Sequence, residues 1–530
     1  MAITGDWDRR ISRRTLLKTG GSFAAGITLA GLASDRAIAQ ASFPGYPFTL
    51  GVASGDPVPK GFVLWTRLAP DPLAVGGGLP AEPYEVRYEV ARDDAFRDIQ
   101  RHGSTVALPD EAHSVRVELD GLPPEREWYY RFKAGDAISP VGRTRTTPPG
   151  NSHLGTLNLA FVSCQNYAEG YFTAYADVAT SDIDAVIHLG DYIYEGGARI
   201  VRAHAPAREI RTLDDYRIRH GQYKTDPDLQ AAHAAHPWLV TWDDHEFKNG
   251  YADLDLDNPD VPIDVAAARR AAAYRAYWEH MPLARARKPE GPDLQLYRRF
   301  RWGKLVTFNV LDGRQYRSDQ PAECTNAQRD VSGYCAGNLA PDRTMLGAEQ
   351  LEWLFDGLAT TKTRWNVLAQ QTPFAPFNRP QAGLTQRFIG TDTWDGYVAE
   401  RQGILDWLVE QRTPNPIVLT GDAHLNRVSN LPPNYRSLEG EPVATEFLGT
   451  SITSGGDEPP NPRYCDDPAN PHVVFRSSNR GYVRCTVTPE AWTSEFRVVD
   501  TVRSSPAESS TLATVTVENG VAGVPCAAAF

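Results

Sequence analysis

Asp184-Ala185-Val186-Ile187-His188-Leu189-Gly190-Asp191-Tyr192-Ile193-Tyr194 decides how this chain is read. A short apolar run stops at Gly-Asp and gives way to aromatic and polar residues. A run of that length bounded by a turn signal is a buried strand. A carboxylate just past its carboxyl end lies where layered α/β sheets bind ligands.

The same grammar recurs on both sides of this stretch. Leu157–Val162 runs into Ser163-Cys164-Gln165-Asn166, and Trp238–Trp242 into Asp243-Asp244-His245-Glu246. Trp365–Ala369 precedes Gln370-Gln371, and Pro416–Thr420 runs into Gly421-Asp422-Ala423-His424, while Leu305–Leu311 is a further buried run. Helical stretches are expected over 171–180, Ala266–Glu279, Gly347–Thr360 and Tyr397–Gln411, so strands and helices alternate as in an α/β domain. One Gly-Asp after a strand is usually a plain turn, and one His or Cys a satisfied core residue. Five polar strand ends in one sheet would instead gather carboxylates, imidazoles, a phenol and a thiol, which are metal-ligand types.

Before residue 147 the pattern is different. Val86, Tyr88 and Val90 alternate with charged residues, as do Val115, Val117 and Leu119. Period two marks half-buried antiparallel sheet. Gly121-Leu122-Pro123-Pro124 followed by Trp128-Tyr129-Tyr130 resembles the tyrosine corner of fibronectin-like and immunoglobulin-like sandwiches. The expected organisation is therefore α+β and multidomain: a β-sandwich over 44–147, a linker, a catalytic domain over 153–503 that ends in further strands, and a tail over 504–530.

Residues 1–39 read as a secretory signal of the twin-arginine type: Arg13-Arg14, a small-residue stretch to Ser34, then Ala37-Ile38-Ala39. That implies the twin-arginine translocase as a partner during export and a periplasmic or secreted product. The whole chain carries a net charge of −12, and without the basic leader the rest is near −15. Such acidity disfavours nucleic-acid backbones as partners. An exported chain is permitted disulfides. Cys324 with Cys335 and Cys465 with Cys526 are candidate pairs, while Cys485 reads as a core thiol.

The ordered motifs carry a resemblance. Ser54-Gly55-Asp56-Pro57, Ser163-Cys164-Gln165, Gly190-Asp191-Tyr192-Ile193-Tyr194, Trp242-Asp243-Asp244-His245-Glu246, Asp312-Gly313-Arg314, Asp395-Gly396-Tyr397 and Gly421-Asp422-Ala423-His424 resemble the PhoD-type alkaline phosphatases. These are relatives of the calcineurin-like metallophosphatases and purple acid phosphatases, and they include phospholipase D-like diesterases. The resemblance implies a sandwich ahead of an α/β/β/α metallophosphatase domain, and a ferric ion with calcium, two ions expected, beside it. The substitutions along the motifs agree with it. Cys164 and Asn166 replace Asp-x-His, Asp244 replaces Asn, Gln370 or Gln371 takes a His slot, and Asp422 replaces a His. Oxygen donors suit hard cations such as calcium. Thiolate and phenolate suit a ferric ion.

On that resemblance Asp191 bridges two metals, and Cys164 and Tyr194 hold the ferric ion with Asp422 or His424. Asp244 and Asn249 serve the calcium side. His245 steadies the phosphate oxygens or protonates the leaving group. Arg314 clamps phosphate, or alternatively forms a structural salt bridge. The implied reaction is hydrolysis of phosphate monoesters and diesters, free or in the cell envelope, by a metal-bound hydroxide. The alternatives are a phospholipase D-like diesterase, a non-enzymatic adhesion or binding module, and a redox iron protein.

Overall fold

The computed structural model describes residues 42–256, 260–321, 334–378, 390–434, 440–459 and 461–526. The leader over 1–39 and Cys324 lie outside the described residues.

The short apolar runs form two large sheets. In the first, Leu157–Val162, Ala185–His188 and Pro237–Val240 lie parallel and adjacent, and Gly481–Val487, Ala491–Val499 and Ser509–Glu518 extend them in antiparallel fashion. In the second, Val306–Val310, Trp365–Ala369, Pro416–Thr420 and Ala444–Leu448 are parallel neighbours. The two sheets pack face to face. Leu159, Phe161, Ile187 and Leu239 of one meet Phe308, Val367, Leu419 and Phe447 of the other in a single buried cluster.

Helices cover both outer faces. Alternation along each strand sends Val162, Val186, Trp238 and Val240 outward, against Tyr175, Val178, Tyr216, Leu229, Tyr274 and Tyr277. Leu368 and Val418 pack on Leu354, Leu358, Ile404 and Leu405 of helices Ala348–Thr360 and Val398–Glu410. The layers are therefore α/β/β/α, and the expected helices are present within a few residues. Helices Leu213–Lys224 and Pro227–Ala235 fall where no helix was expected. The first is polar in sequence, and both begin on side-chain caps, at Thr212 and Asp226.

The amino-terminal sandwich is not a separate body. Val52–Val58 lies parallel to Pro237–Val240, so Val52–Val58, Gly61–Arg67 and Ser114–Leu119 complete the nine-stranded sheet of the catalytic layers. Tyr84–Ala91, Ile99–Ala107 and Glu127–Ala134 form the facing sheet around Val86, Trp128, Tyr130 and Phe132. The expected tyrosine corner does not form. Tyr129 Oη donates to Glu127 and the Tyr130 hydroxyl is buried without a hydrogen-bond partner. The described residues make one compact unit.

The tail is also part of that unit. Ser509–Glu518 pairs along Ala491–Val499 and buries Val515 and Val517. Cys465 and Cys526 form a disulfide, and Cys485 is a buried free thiol. Val515→Ala removes buried methyl groups from a closed core, so the protein should lose about 2 kcal/mol of stability. A denaturant-unfolding midpoint unchanged from that of the parent would contradict this packing.

Candidate metal centre

Positive φ aims the strand ends inward. Cys164, Asp191, Asp422 and His424 have φ of 58°, 58°, 64° and 54°. Non-glycine residues occupy that left-handed region only when their surroundings enforce it, and such residues cluster at functional sites. Gly190 precedes Asp191 with φ 109°, and a Cβ there would lie 2.5 Å from Asp243 N and Cβ. Only glycine lets the two strand-end turns touch.

A buried carboxylate ties those turns together. Glu246 Oε2 accepts the N–H of Asp191 at 3.0 Å and of Asp243 at 2.8 Å, and Oε1 accepts the N–H of Tyr192. Burial pushes Glu246 up to about 7, against the pull of these three donors.

Asp191 is the hub. Its donor atoms lie within 4.8 Å of those of Cys164 and His424 on one side, of Asp244 and His245 on another, and of Asp243 and Asp422 on a third. Tyr194 joins the thiol side: its hydroxyl donates to Asp191 Oδ2 at 2.9 Å and lies 3.3 Å from His424 Nε2. Of the two alternatives from the last strand, His424 therefore falls with Cys164 and Tyr194, and Asp422 with the carboxylates. Burial, then the Arg480 guanidinium, lowers His424 to about 4, which keeps the imidazole neutral as a ligand must be.

The electrostatics call for cations. Burial and mutual repulsion raise Asp191 and Asp243 well above the carboxylate range, and burial chiefly raises Asp422 to about 8. Burial and the Asp191 charge raise the Cys164 thiol and the Tyr194 phenol. Asp191 Oδ1 and Asp244 Oδ1 are buried without a hydrogen-bond partner. Buried oxygens left open in a carboxylate cluster are what a hard cation satisfies, and a bound cation inverts these shifts.

Arg314 does not present its fork to an open face. It is fully buried, with Nε on Asp243, Nη1 on Asp392 at 2.8 Å, and Nη2 at 3.5 Å from both Asp244 and Asp422. This geometry is the salt-bridge alternative, and it corrects the reading of Arg314 as a phosphate clamp. Asn249 is exposed and reaches the site through its backbone N–H, which donates to Glu195 Oε1 at 2.9 Å. Gln370 and Gln371 spend their amides on neighbouring groups. Gln371 bridges Thr241, Leu311 and Gly313, and Gln370 holds Thr372 and Trp394.

His245 stands at the edge, a fifth exposed. Its Nδ1 lies 2.6 Å from Glu195 Oε2, and its ring packs 4.1 Å from that of Tyr194. Burial disfavours the imidazolium, but Asp191, Asp244 and Glu195 together raise it well above the ordinary histidine value.

Several residues escaped the sequence reading. Asp392 pairs with Arg314 and Arg317. Ser454 Oγ donates to Tyr194 Oη at 2.6 Å and lies 2.8 Å from the Cys164 carbonyl. Arg480 pins the His424 carbonyl and Ser451. Each sits in a loop with no motif of its own. Asp243 was visible as a strand-end residue, beside the Asp244 that filled the family slot.

Comparison with known proteins shows the family. A family model described as PhoD-like phosphatase matches residues 159–496, and one described as PhoD-like phosphatase, N-terminal domain, matches 32–148. The chain belongs to the PhoD-like phosphatase family. Alkaline phosphatase D of Bacillus subtilis (strain 168) is 45% identical over 525 residues, 97% of this chain and 88% of that protein. A solved structure titled "Structure of PhoD" superposes with a TM-score of 0.86 at 45% identity, covering 92% of this chain and 94% of that one. As a member of the family the chain is a phosphoric ester hydrolase of the alkaline phosphatase D type. This sets aside the reading as a non-enzymatic binding module.

Gly190→Ala should force the Asp191 and Asp243 turns apart, at a cost of about 2–4 kcal/mol from overpacking and backbone strain. The purified variant is expected to hold less metal by elemental analysis and to lose activity. Full metal content would contradict the contact.

Proposed function

We propose that this chain is an exported, metal-dependent phosphoesterase acting on phosphate monoesters and diesters. The observation that carries it is the sharing of Asp191 between two unlike donor sets. Cys164, Tyr194 and His424 with Asp191 offer sulfur, phenol and imidazole, the set expected to hold a ferric ion. Asp191 with Asp243 and Asp422, and Asp191 with Asp244 beside His245, offer mostly carboxylate oxygens, which suit calcium; of these Asp244 was the expected calcium ligand. Bound there, the two kinds of ion would supply Lewis acidity toward the phosphoryl oxygens and lower the pKa of water.

The chain's own residues do the rest. Asp191 keeps the two donor sets adjacent through a side chain whose backbone is clamped by Glu246. Arg314 offsets part of the carboxylate charge and holds Asp243 and Asp392 in place. His245, at the edge of the cluster, protonates the leaving oxygen or steadies a phosphoryl oxygen. Export rests on the twin-arginine leader, and the translocase is the partner that it implies. Among the described residues no helix is long and apolar enough to cross a membrane.

Two measurements test the proposal. EGTA should abolish activity and added calcium restore it; indifference to EGTA would contradict the carboxylate site. A nitrophenyl monoester and its bis-ester should both be hydrolysed. Hydrolysis confined to phosphatidylcholine would favour the phospholipase D-like alternative.

A further inference from the structure

The turn that carries Asp191 and Tyr194 continues into a residue that the reaction scheme above does not use. Glu195 is 5% exposed, yet it is fully engaged. Its Oε2 meets His245 Nδ1 at 2.6 Å. Its Oε1 accepts the Asn249 N–H at 2.9 Å and lies 3.5 Å from Lys248 Nζ. The backbone on both sides is fixed: the Glu195 carbonyl accepts the Ile210 N–H at 2.9 Å, and Arg219 donates to the carbonyls of Tyr194 and Gly196. A carboxylate held this firmly cannot follow a moving ring; the ring must follow the carboxylate.

We propose that Glu195 is a positioning residue for leaving-group protonation, fixing the His245 ring so that Nδ1–H is held and Nε2–H faces the leaving oxygen. The inference rests on the reading of His245 given under the proposed function and deepens it. An imidazole whose Nδ1 donates to an acceptor presents Nε2 as its other nitrogen, and the partner of the first fixes the orientation of the second. Packing of the Tyr194 ring against that of His245 removes the remaining freedom about the ring plane.

The step balances as follows. A water oxygen forms the new P–O bond and releases a proton to solvent. The bond from phosphorus to the ester oxygen breaks, and its electron pair stays on that oxygen. The proton on His245 Nε2 passes to it and the alcohol departs. The ring, neutral and still hydrogen-bonded to Glu195 through Nδ1, regains a proton from solvent.

A carboxylate that merely shaped the fold would matter equally for every ester. One that aims a proton donor matters most when the leaving group is a poor one. The test compares Glu195→Gln, Glu195→Asp, His245→Asn and the Glu195→Gln/His245→Asn double variant, as metal-loaded full-length enzyme. The substrates are an alkyl phosphate and p-nitrophenyl phosphate, with metal content measured in parallel. Glu195→Gln is expected to lower kcat on the alkyl ester about 100-fold, in the range general acids contribute, and on the nitrophenyl ester less than ten-fold. Metal content should be unchanged and Glu195→Asp should recover part of the loss. In the double variant the loss on the alkyl ester should be no greater than with His245→Asn alone, as for residues acting as one unit.

Equal losses on both esters, additive losses in the double variant, or an unimpaired Glu195→Gln beside an impaired His245→Asn would each overturn the role of Glu195 alone. An unimpaired His245→Asn would overturn the reading of His245 and this inference with it.

Discussion

Three backbone N–H groups on one buried carboxylate hold this site together. Glu246 joins the turn after Ala185–His188 to the turn after Pro237–Val240, two neighbouring parallel strands. Strand ends in a parallel sheet leave N–H groups without ladder partners, and a buried orphan donor costs about 1–3 kcal/mol. Glu246 satisfies three at once, and so fixes the separation of Asp191 from Asp243 and Asp244. Gly190 permits the close approach that this demands. Tyr194 and Glu195 then lie on the same turn, one directed at the thiol side and the other at His245.

The amino-terminal sandwich belongs to the same construction. Asp56 lies 2.8 Å from Arg298 Nη2, and Arg298 Nη1 donates to the carbonyl of Val240 at 2.9 Å, just before the strand end that carries Asp243 to Glu246. Trp65 Nε1 reaches the carbonyl of Glu279 at 2.8 Å, across the helix Ile263–His280. The sandwich shares a sheet with the catalytic layers and braces the strand that leads into Asp243 and Asp244.

Much of this was legible in the sequence because a buried parallel strand ending in a polar turn leaves a clear mark. The runs before Cys164, Asp191 and Asp243 marked one sheet and the run before Asp422 a strand of the second, where a single sheet was expected to gather all the strand ends; their order showed the family. Other features left no such mark. The tail strand Ser509–Glu518 reads as polar because only alternate residues are buried at a sheet edge. Gln370 and Gln371 held a family slot, but neighbouring backbone groups take up their amides. Arg314 reads in sequence as an anion clamp or a salt bridge, and the four aspartates around it come from separate stretches of chain. Glu195, Ser454 and Asp392 act through contacts across long stretches of chain, which spacing does not encode.

Unlike donor sets sharing Asp191 make a claim about metal identity, and elemental analysis of the purified protein, read beside its visible spectrum, tests it most directly. The account predicts iron together with calcium, and an absorption band from phenolate and thiolate charge transfer that Tyr194→Phe shifts or bleaches. A colourless, fully active enzyme containing zinc alone would contradict it.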